Sequence, residues 1–373
     1  MSVKLDIFKD LEHEQVIFCN APDFGLRAII AIHSTILGPA LGGTRMWPYR
    51  SEAEALEDVL RLSKGMTYKS AAAGLNFGGG KAVIIGDPQT QKSENLFRTF
   101  GAFVERLQGQ FLSGEDVGVD VNDMEFMFME TQFVVGLSDA HGGSGDPSPM
   151  TAYGVIQGMH ACIERVFKQK HLKGLTVAIQ GLGHVGYSLA EKLTKLGVVV
   201  IGCDLNEVNA KKAHKELGIE VVSVDSIYEV QCDIFAPCAL GGILNEKTIP
   251  KLKCAIVAGS ANNQLKEDAH AKLLQARNIL YAPDYMINAG GLINVALELE
   301  GYSKERARIQ ARNIYYNLKR TFEIAEEQKI LPHEAADRLA EERIRKVARI
   351  PRSHCLAKDQ IKRHQTFDIK KVA

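Results

Sequence analysis

Apolar positions recur with different periods along this chain, and the change of period falls before its middle. In the first third, Ala28–His33 (AIIAIH) is a continuous apolar run of strand length. Ser51 and Glu54 fit a capping box, with Leu56, Val59, Leu60 and Ser63 following at helical spacing and Gly65 as the expected stop. Ala82–Ile85 is a second apolar strand, closed by Gly86-Asp87-Pro88. Residues 142–149 (GGSGDPSP) hold no period and predict a domain junction.

Beyond the junction, helices and strands alternate. The pattern predicts helix 152–167, strand 175–180, a glycine turn, helix 185–196, strand 198–203 and helix 207–217. Short strands follow near 219–222, 234–236 and 255–258, and long amphipathic helices over 303–328 and 333–348. Such alternation implies a parallel, doubly wound sheet. The expected fold is therefore α/β with two domains: an N-terminal α/β domain and a C-terminal Rossmann-type domain, separated by a cleft. The first would span 1–145 with a C-terminal helix at about 331–350, and the second 146–330. The basic stretch 351–373 is assigned nothing.

A length of 373 residues is too much for one typical core, which agrees with two domains. Forty-five basic and 45 acidic residues cancel, so no electrostatic argument favours nucleic acid or an anionic membrane. No run approaches a spanning helix, and the charged start MSVKLDIFKD lacks an apolar signal core. A cytoplasmic enzyme is expected. Seven scattered cysteines without a C-x-x-C read as reduced thiols, and no metal site is expected.

Two segments carry chemistry. Gly181-Leu182-Gly183-His184-Val185-Gly186 matches G-x-G-x-x-G between an apolar strand and a helix. The glycines would allow the tight turn, admit a pyrophosphate and let helix pack on strand, while the helix N-terminus offers N–H groups to phosphate. Asp204 closes the next strand, where an acid bonds a ribose 2′-hydroxyl and repels a 2′-phosphate. NAD is thus favoured over NADP. The other segment is Gly78-Gly79-Gly80-Lys81, whose glycines would let backbone approach a ligand. A lysine between apolar walls has its charged form disfavoured and can serve as a base or proton shuttle. Lys69 lies twelve residues earlier, and Asp116 would balance the two lysines and pass protons. Met46-Trp47 and Ala71–Ala73 read as core, His33 and His141 as structural. Ser148 has no base pattern beside it, which argues against serine nucleophile chemistry.

With LGPALGGTRMWPY (37–49), residues 61–88, GEDVG (114–118), GDPSP (145–149), DIFAPCALGG (233–242), GSANNQL (259–265) and YAPDYMINAGGLINVA (281–296), the chain resembles the Glu/Leu/Phe/Val dehydrogenase family from about residue 12 to 348. The resemblance implies reversible oxidative deamination of a hydrophobic L-amino acid to a 2-oxo acid and ammonia, and assembly into a homo-oligomer (octamer, tetramer or dimer). It places Lys69, with the Gly42-Gly43 loop, on the substrate carboxylate. Lys81 would assist water addition to an imine, and Asp116 would partner it. Asn263 would sit near substrate, and Leu41, Leu292 and Val295 would line an apolar pocket. Thr151 would hold the carboxamide, while Asn262 and the Ala236–Ala239 loop with Cys238 would approach the cofactor. Gly74-Leu75-Asn76, Glu115 and Asn294 resemble the leucine branch; Gly114 and Leu292 resemble the phenylalanine branch. His184 and Leu297 depart from the usual pattern. A non-catalytic NAD-binding sensor is the alternative from another class, and retention of Lys69, Lys81 and Asp116 speaks against it.

Overall fold

Residues 12–350 are described by the computed structural model. Their first part holds strands β1 (Gln15–Ala21), β2 (Leu26–Ser34) and β3 (Ala40–Trp47), then helix α1 (Glu52–Ala72) and strand β4 (Gly78–Ile85). Helix α2 (Glu94–Arg106), strand β5 (Phe111–Glu115) and helix α3 (Val121–Phe128) follow. The sheet order is β1-β2-β4-β3-β5, with β3 parallel to both β4 and β5 and β2 antiparallel to both β1 and β4. Ile30, Ile32, Leu41, Met46 and Ile84 are fully buried in it, whereas Trp47 is exposed.

Two expectations fail here for one reason. Helix α1 does not stop at Gly65, and β4 begins four residues before Ala82. The glycine run is strand rather than loop, and protein fills the space its side chains would take. A Cβ on Gly79 would lie 2.2 Å from the Thr67 nitrogen, and one on Gly80 would lie 2.7 Å from the Phe111 ring. Helix α1 therefore lies directly on β4, and this contact carries it past Gly65. At its start Ser51 accepts from the Glu54 N–H at 3.1 Å, but Glu54 reaches back to the Arg50 N–H rather than to that of Ser51.

A pair of histidines sits where β2 meets α1. His33 Nδ1 pairs with Thr67 Oγ1 at 2.8 Å, and His13 meets His33 edge to face with ring centres 4.9 Å apart. Burial, helped by His13 and Lys64, pushes the His33 ring down to about 4. The unfolded ring titrates near 6.5, so the unfolded chain binds this proton first as pH falls. Stability is expected to be intact above pH about 6.5 and to drop by roughly 2–3 kcal/mol between there and pH 4. His33→Gln should flatten that slope in urea titrations run at each pH; an unchanged slope would exonerate His33.

The second part runs α4 (Ser148–Phe167), β6 (Thr176–Gln180), α5 (His184–Lys195), β7 (Val199–Cys203), α6 (Glu207–Leu217) and β8 (Glu220–Val221). Then come β9 (Ile234–Pro237), β10 (Ile256–Val257), α7 (His270–Ala276), β11 (Leu280–Tyr281), α8 (Asp284–Ile287) and α9 (Gly290–Ala296). The helix expected over 303–328 is two, α10 (Lys304–Ala311) and α11 (Asn313–Gln328), followed by α12 (Pro332–Ala348). The sheet is wholly parallel in the order β11-β10-β9-β6-β7-β8. Numbered from β6, this is the doubly wound order 6-5-4-1-2-3, whose switch point lies between β6 and β9.

Of the described residues, 12–145, 295–302 and 343–350 form one unit; 146–294 and 303–342 form the other. The expected segments differ in two places. Residues 331–342 group with the second unit, and only from Arg343 does α12 join the first, where its guanidinium donates to the Ala71 and Leu75 carbonyls at 3.1 and 2.7 Å. Val295–Tyr302 belongs to the first unit, held by Glu298. That carboxylate is buried and accepts from the Gly136 N–H at 2.9 Å, the Ser144 N–H at 2.9 Å and the Ser144 hydroxyl at 2.5 Å. Burial raises its pKa above the usual carboxylate range despite these donors. The six described cysteines are free thiols, and Cys355 with the basic tail from 351 lies outside the described residues. No described helix is long and apolar enough to cross a membrane.

Candidate active site

In the first unit, β3, β4 and β5 bring two predicted residues, Lys81 and Asp116, together with an unpredicted one, Arg45. Lys81 points from the middle of β4 and is 6% exposed. Its Nζ makes an ion pair with Asp116 Oδ2, just past the end of β5. The same oxygen accepts from Arg45 Nε at 3.2 Å. Arg45 stands on β3 directly opposite Val83, two residues along β4 from Lys81, so the two cations share a face. Arg45 also reaches Asp58 at 2.9 Å, and Asp58 accepts from the Tyr49 hydroxyl at 2.7 Å.

Burial alone would raise the Asp116 pKa, but Lys81 and Arg45 outweigh it and bring the group down to about 2. Asp116 is thus a fixed negative charge at neutral pH. Arg45 and Asp58 escaped the sequence reading; the signal available was an arginine inside an otherwise apolar strand two residues after Gly43.

The remaining first-unit residues fall as follows. Lys69 lies half-buried in the last turn of α1, the helix packed on β4. Gly42 and Gly43 are not a loop but lie within β3, where a Cβ on Gly42 would sit 1.8 Å from the Gly80 oxygen. Gly114 pairs with Gly43 across β5, and the nearest atom to a Cβ there would be Val135 Cγ2 at 3.3 Å. Leu41 is buried, and Val295 is half-buried at the end of α9. The departing Leu297 is buried in the next turn.

In the second unit, nearly all predicted cofactor residues stand beyond the carboxyl ends of the parallel strands, where doubly wound sheets take their ligands. Gly181–Gly186 follows β6, Asp204 follows β7, Ala236 is the last residue but one of β9 with Cys238 and Ala239 just past its end, and Asn262 and Asn263 follow β10. Gly181 has φ +97°, and a Cβ on it would lie 2.8 Å from that of Ala239, so the loops after β6 and β9 meet at the switch point. A Cβ on Gly186 would lie 1.9 Å from the Gly181 oxygen. Beside Gly183 nothing comes within 4 Å, and no side chain caps the helix it opens. That leaves uncapped N–H groups facing open space, which fits a dinucleotide pyrophosphate.

Asp204 receives the Leu182 N–H and the Asn206 N–H, each at 2.7 Å, one on each oxygen. Each oxygen keeps a lone pair for a hydroxyl donor. Asn263 is left-handed at φ +51°, and its carbonyl accepts from Gly242 at 2.7 Å, while Asn262 Oδ1 accepts from Asn288 at 2.6 Å. Burial raises the Cys238 thiol against its contact with Ser260. Thr151 donates to the Pro147 carbonyl at 3.0 Å on α4. Val185 lies in the first turn of α5, Leu182 and Leu292 are buried, and His184 is exposed, 3.9 Å from Asp146. Among the described residues no group of His, Cys, Asp and Glu is placed to hold a metal.

Residues 13–133 match the family described as Glu/Leu/Phe/Val dehydrogenase, dimerisation domain. Residues 142–207 and 204–349 match Glutamate/Leucine/Phenylalanine/Valine dehydrogenase. The chain is 55% identical to a leucine dehydrogenase of Thermoactinomyces intermedius over 91% of this chain and 93% of that one. It is 54% identical to a phenylalanine dehydrogenase of Lysinibacillus sphaericus, over 91% of both. Among solved structures, an L-tryptophan dehydrogenase from Nostoc punctiforme superposes with a TM-score of 0.81 at 45% identity, covering 93% of this chain and 100% of that one.

Proposed function

The chain belongs to the glutamate/leucine/phenylalanine/valine dehydrogenase family and is an amino acid dehydrogenase, and we propose that it oxidatively deaminates hydrophobic L-amino acids, leucine and other branched-chain ones foremost, with NAD. The observation that carries this reading is the ion pair of buried Lys81 with half-buried Asp116, with Arg45 on the same carboxylate oxygen. It is a proton-handling amine locked beside a permanent anion. When bound, NAD supplies the acceptor for the Cα hydride.

The chain's own residues do the rest. Gly181–Gly186 and the start of α5 hold the pyrophosphate, and Asp204 the ribose hydroxyls. Thr151, Ala236–Ala239 and Asn262 flank the rest of the dinucleotide. Lys69 binds the substrate carboxylate, and Asn263 stands near the reacting carbon. Lys81 takes a proton from the water that adds to the substrate imine and returns one to the departing amine, leaving a 2-oxo acid and ammonia. Asp116 balances the charge of Lys81 and Arg45, which together hold its carboxyl well below the usual carboxylate range. Leu41, Val295 and Leu292 supply apolar contact with no cation for a side-chain carboxylate. The match to a dimerisation domain supports a homo-oligomer, as does the exposure of Phe18 on edge strand β1.

Aromatic substrates are the second reading. Glycine at 114 leaves only Val135 close by, and relatives for phenylalanine and tryptophan are near in sequence. NADH absorbance across L-leucine, L-valine, L-isoleucine, L-phenylalanine, L-tryptophan and L-glutamate decides between them. Leucine is expected to lead, and Gly114→Ala to lower the phenylalanine-to-leucine ratio of kcat/KM by about 10-fold or more. No activity with any of the six would sink the proposal. For the cofactor, Asp204→Asn is expected to raise the NADP-to-NAD ratio of kcat/KM at least roughly tenfold by removing a charge that repels the 2′-phosphate. An unchanged ratio would take Asp204 out of ribose recognition.

A further inference from the structure

Strands β9 and β10 run parallel with Ile234 beside Ile256 and Phe235 beside Val257. The same offset of 22 residues holds upstream, where Gln231 bridges Lys253. Cys232 and Cys254 are separated by that same offset, so they are direct neighbours on the same face at the amino ends of these strands. Side-by-side residues on adjacent strands lie about 4.8 Å apart, inside the roughly 4.4–6.8 Å span of Cα atoms that a disulfide bridges. The Cys232 N–H donates to the Lys253 carbonyl at 3.2 Å and fixes the pair from behind. Cys232 is buried in the core of the second unit; Cys254 packs against that core and is only partly buried.

We propose that Cys232 and Cys254 form a peroxide-sensitive dithiol, with Cys254 the attacking thiol and Cys232 the resolving one. The asymmetry of burial sets the order, since an oxidant reaches Cys254 first. The thiols also share a hydrogen bond. It holds Cys254 below and Cys232 above the ordinary thiol range. Cys254 sulfur attacks one peroxide oxygen and the O–O bond breaks. The leaving hydroxide takes up the proton that Cys254 lost, giving water and a sulfenic acid. Cys232 sulfur then attacks Cys254 sulfur, the S–O bond breaks, and the second hydroxide leaves with the Cys232 proton as water. Two electrons pass from the thiol pair to peroxide, and a disulfide joins β9 to β10. The bridge lies at the strand ends opposite the loops that carry Ala236–Ala239 and Asn262–Asn263.

The test treats the reduced full-length protein with stoichiometric hydrogen peroxide, then alkylates and maps its peptides. The expected product is a linked pair of peptides carrying Cys232 and Cys254, lighter by two hydrogens and cleaved by dithiothreitol. Cys254→Ser should abolish the link, and Cys232→Ser should leave a sulfenic acid on Cys254 that dimedone traps. Should either variant fail to fold, the wild-type map decides alone. Separate alkylation of both cysteines after treatment, or linkage of either to another cysteine, overturns the proposal.

Discussion

Replacing Lys81 by alanine is expected to lower kcat by about 10²–10⁴-fold, the range that a positioned proton-transfer group contributes, while NAD affinity stays within about twofold. Lys81 stands on β4 of the first unit, whereas the proposed pyrophosphate cradle lies in the second, so the cradle's own residues are unchanged. The variant leaves half-buried Asp116 with Arg45 as its remaining charge partner. Losing one partner of a buried pair destabilises a fold by roughly 3–5 kcal/mol, and Arg45 should hold the loss to the lower end. Steady-state kinetics, NADH fluorescence titration and a thermal melt on one preparation separate the three effects. Turnover within about tenfold of wild type, in a variant that melts normally, would remove Lys81 from the chemistry.

Gly79→Ala is expected to cost about 3 kcal/mol or more, while Gly65→Ala, fourteen residues earlier, should stabilise by roughly 0.5–1 kcal/mol. On Gly79 the new methyl group would press on the Thr67 nitrogen and hydroxyl at 2.2 Å and on the Ser63 oxygen at 2.6 Å. These contacts are mostly helix backbone and do not yield. Gly65 is exposed inside α1, a Cβ there meets nothing within 4 Å, and alanine is the better helix former. Urea midpoints of the two variants should therefore move in opposite directions. Movement in the same direction would contradict the packing of α1 on β4.

That contrast also shows what local text conveys. A helix passing through a glycine, and a strand beginning with three, are settled by what lies above and below them in space. The residues flanking Gly65 and Gly79 carry no trace of that contact. In the second sheet β6 and β7 were legible because each is an apolar run set off by an amphipathic helix, and both were placed to within a residue; β11, two residues long, was not predicted. β1, β3 and β5 were not legible: their residues alternate weakly or carry glycine and arginine in place of apolar side chains. At the site, Lys81 and Asp116 could be nominated from their unusual surroundings. Arg45, two residues past Gly43, required the β3–β4 register to be seen as a partner. Asp204 was nominated for one bond and makes two others, to backbone groups that sequence spacing does not display.

The anchoring of Glu298 to Gly136 and Ser144 has a consequence for biosynthesis. The acceptor for these N–H groups lies more than 150 positions downstream, after the whole parallel sheet of the second unit. A ribosome releases the chain from its N-terminus, so the first unit emerges with these donors unsatisfied. It waits while another sheet is synthesised, and only then receives the turn that completes it. A fragment ending at the GDPSP junction would carry all five strands of the first sheet and still lack that acceptor. A protein whose ends were rejoined and reopened at residue 303 would instead deliver Glu298 last of all.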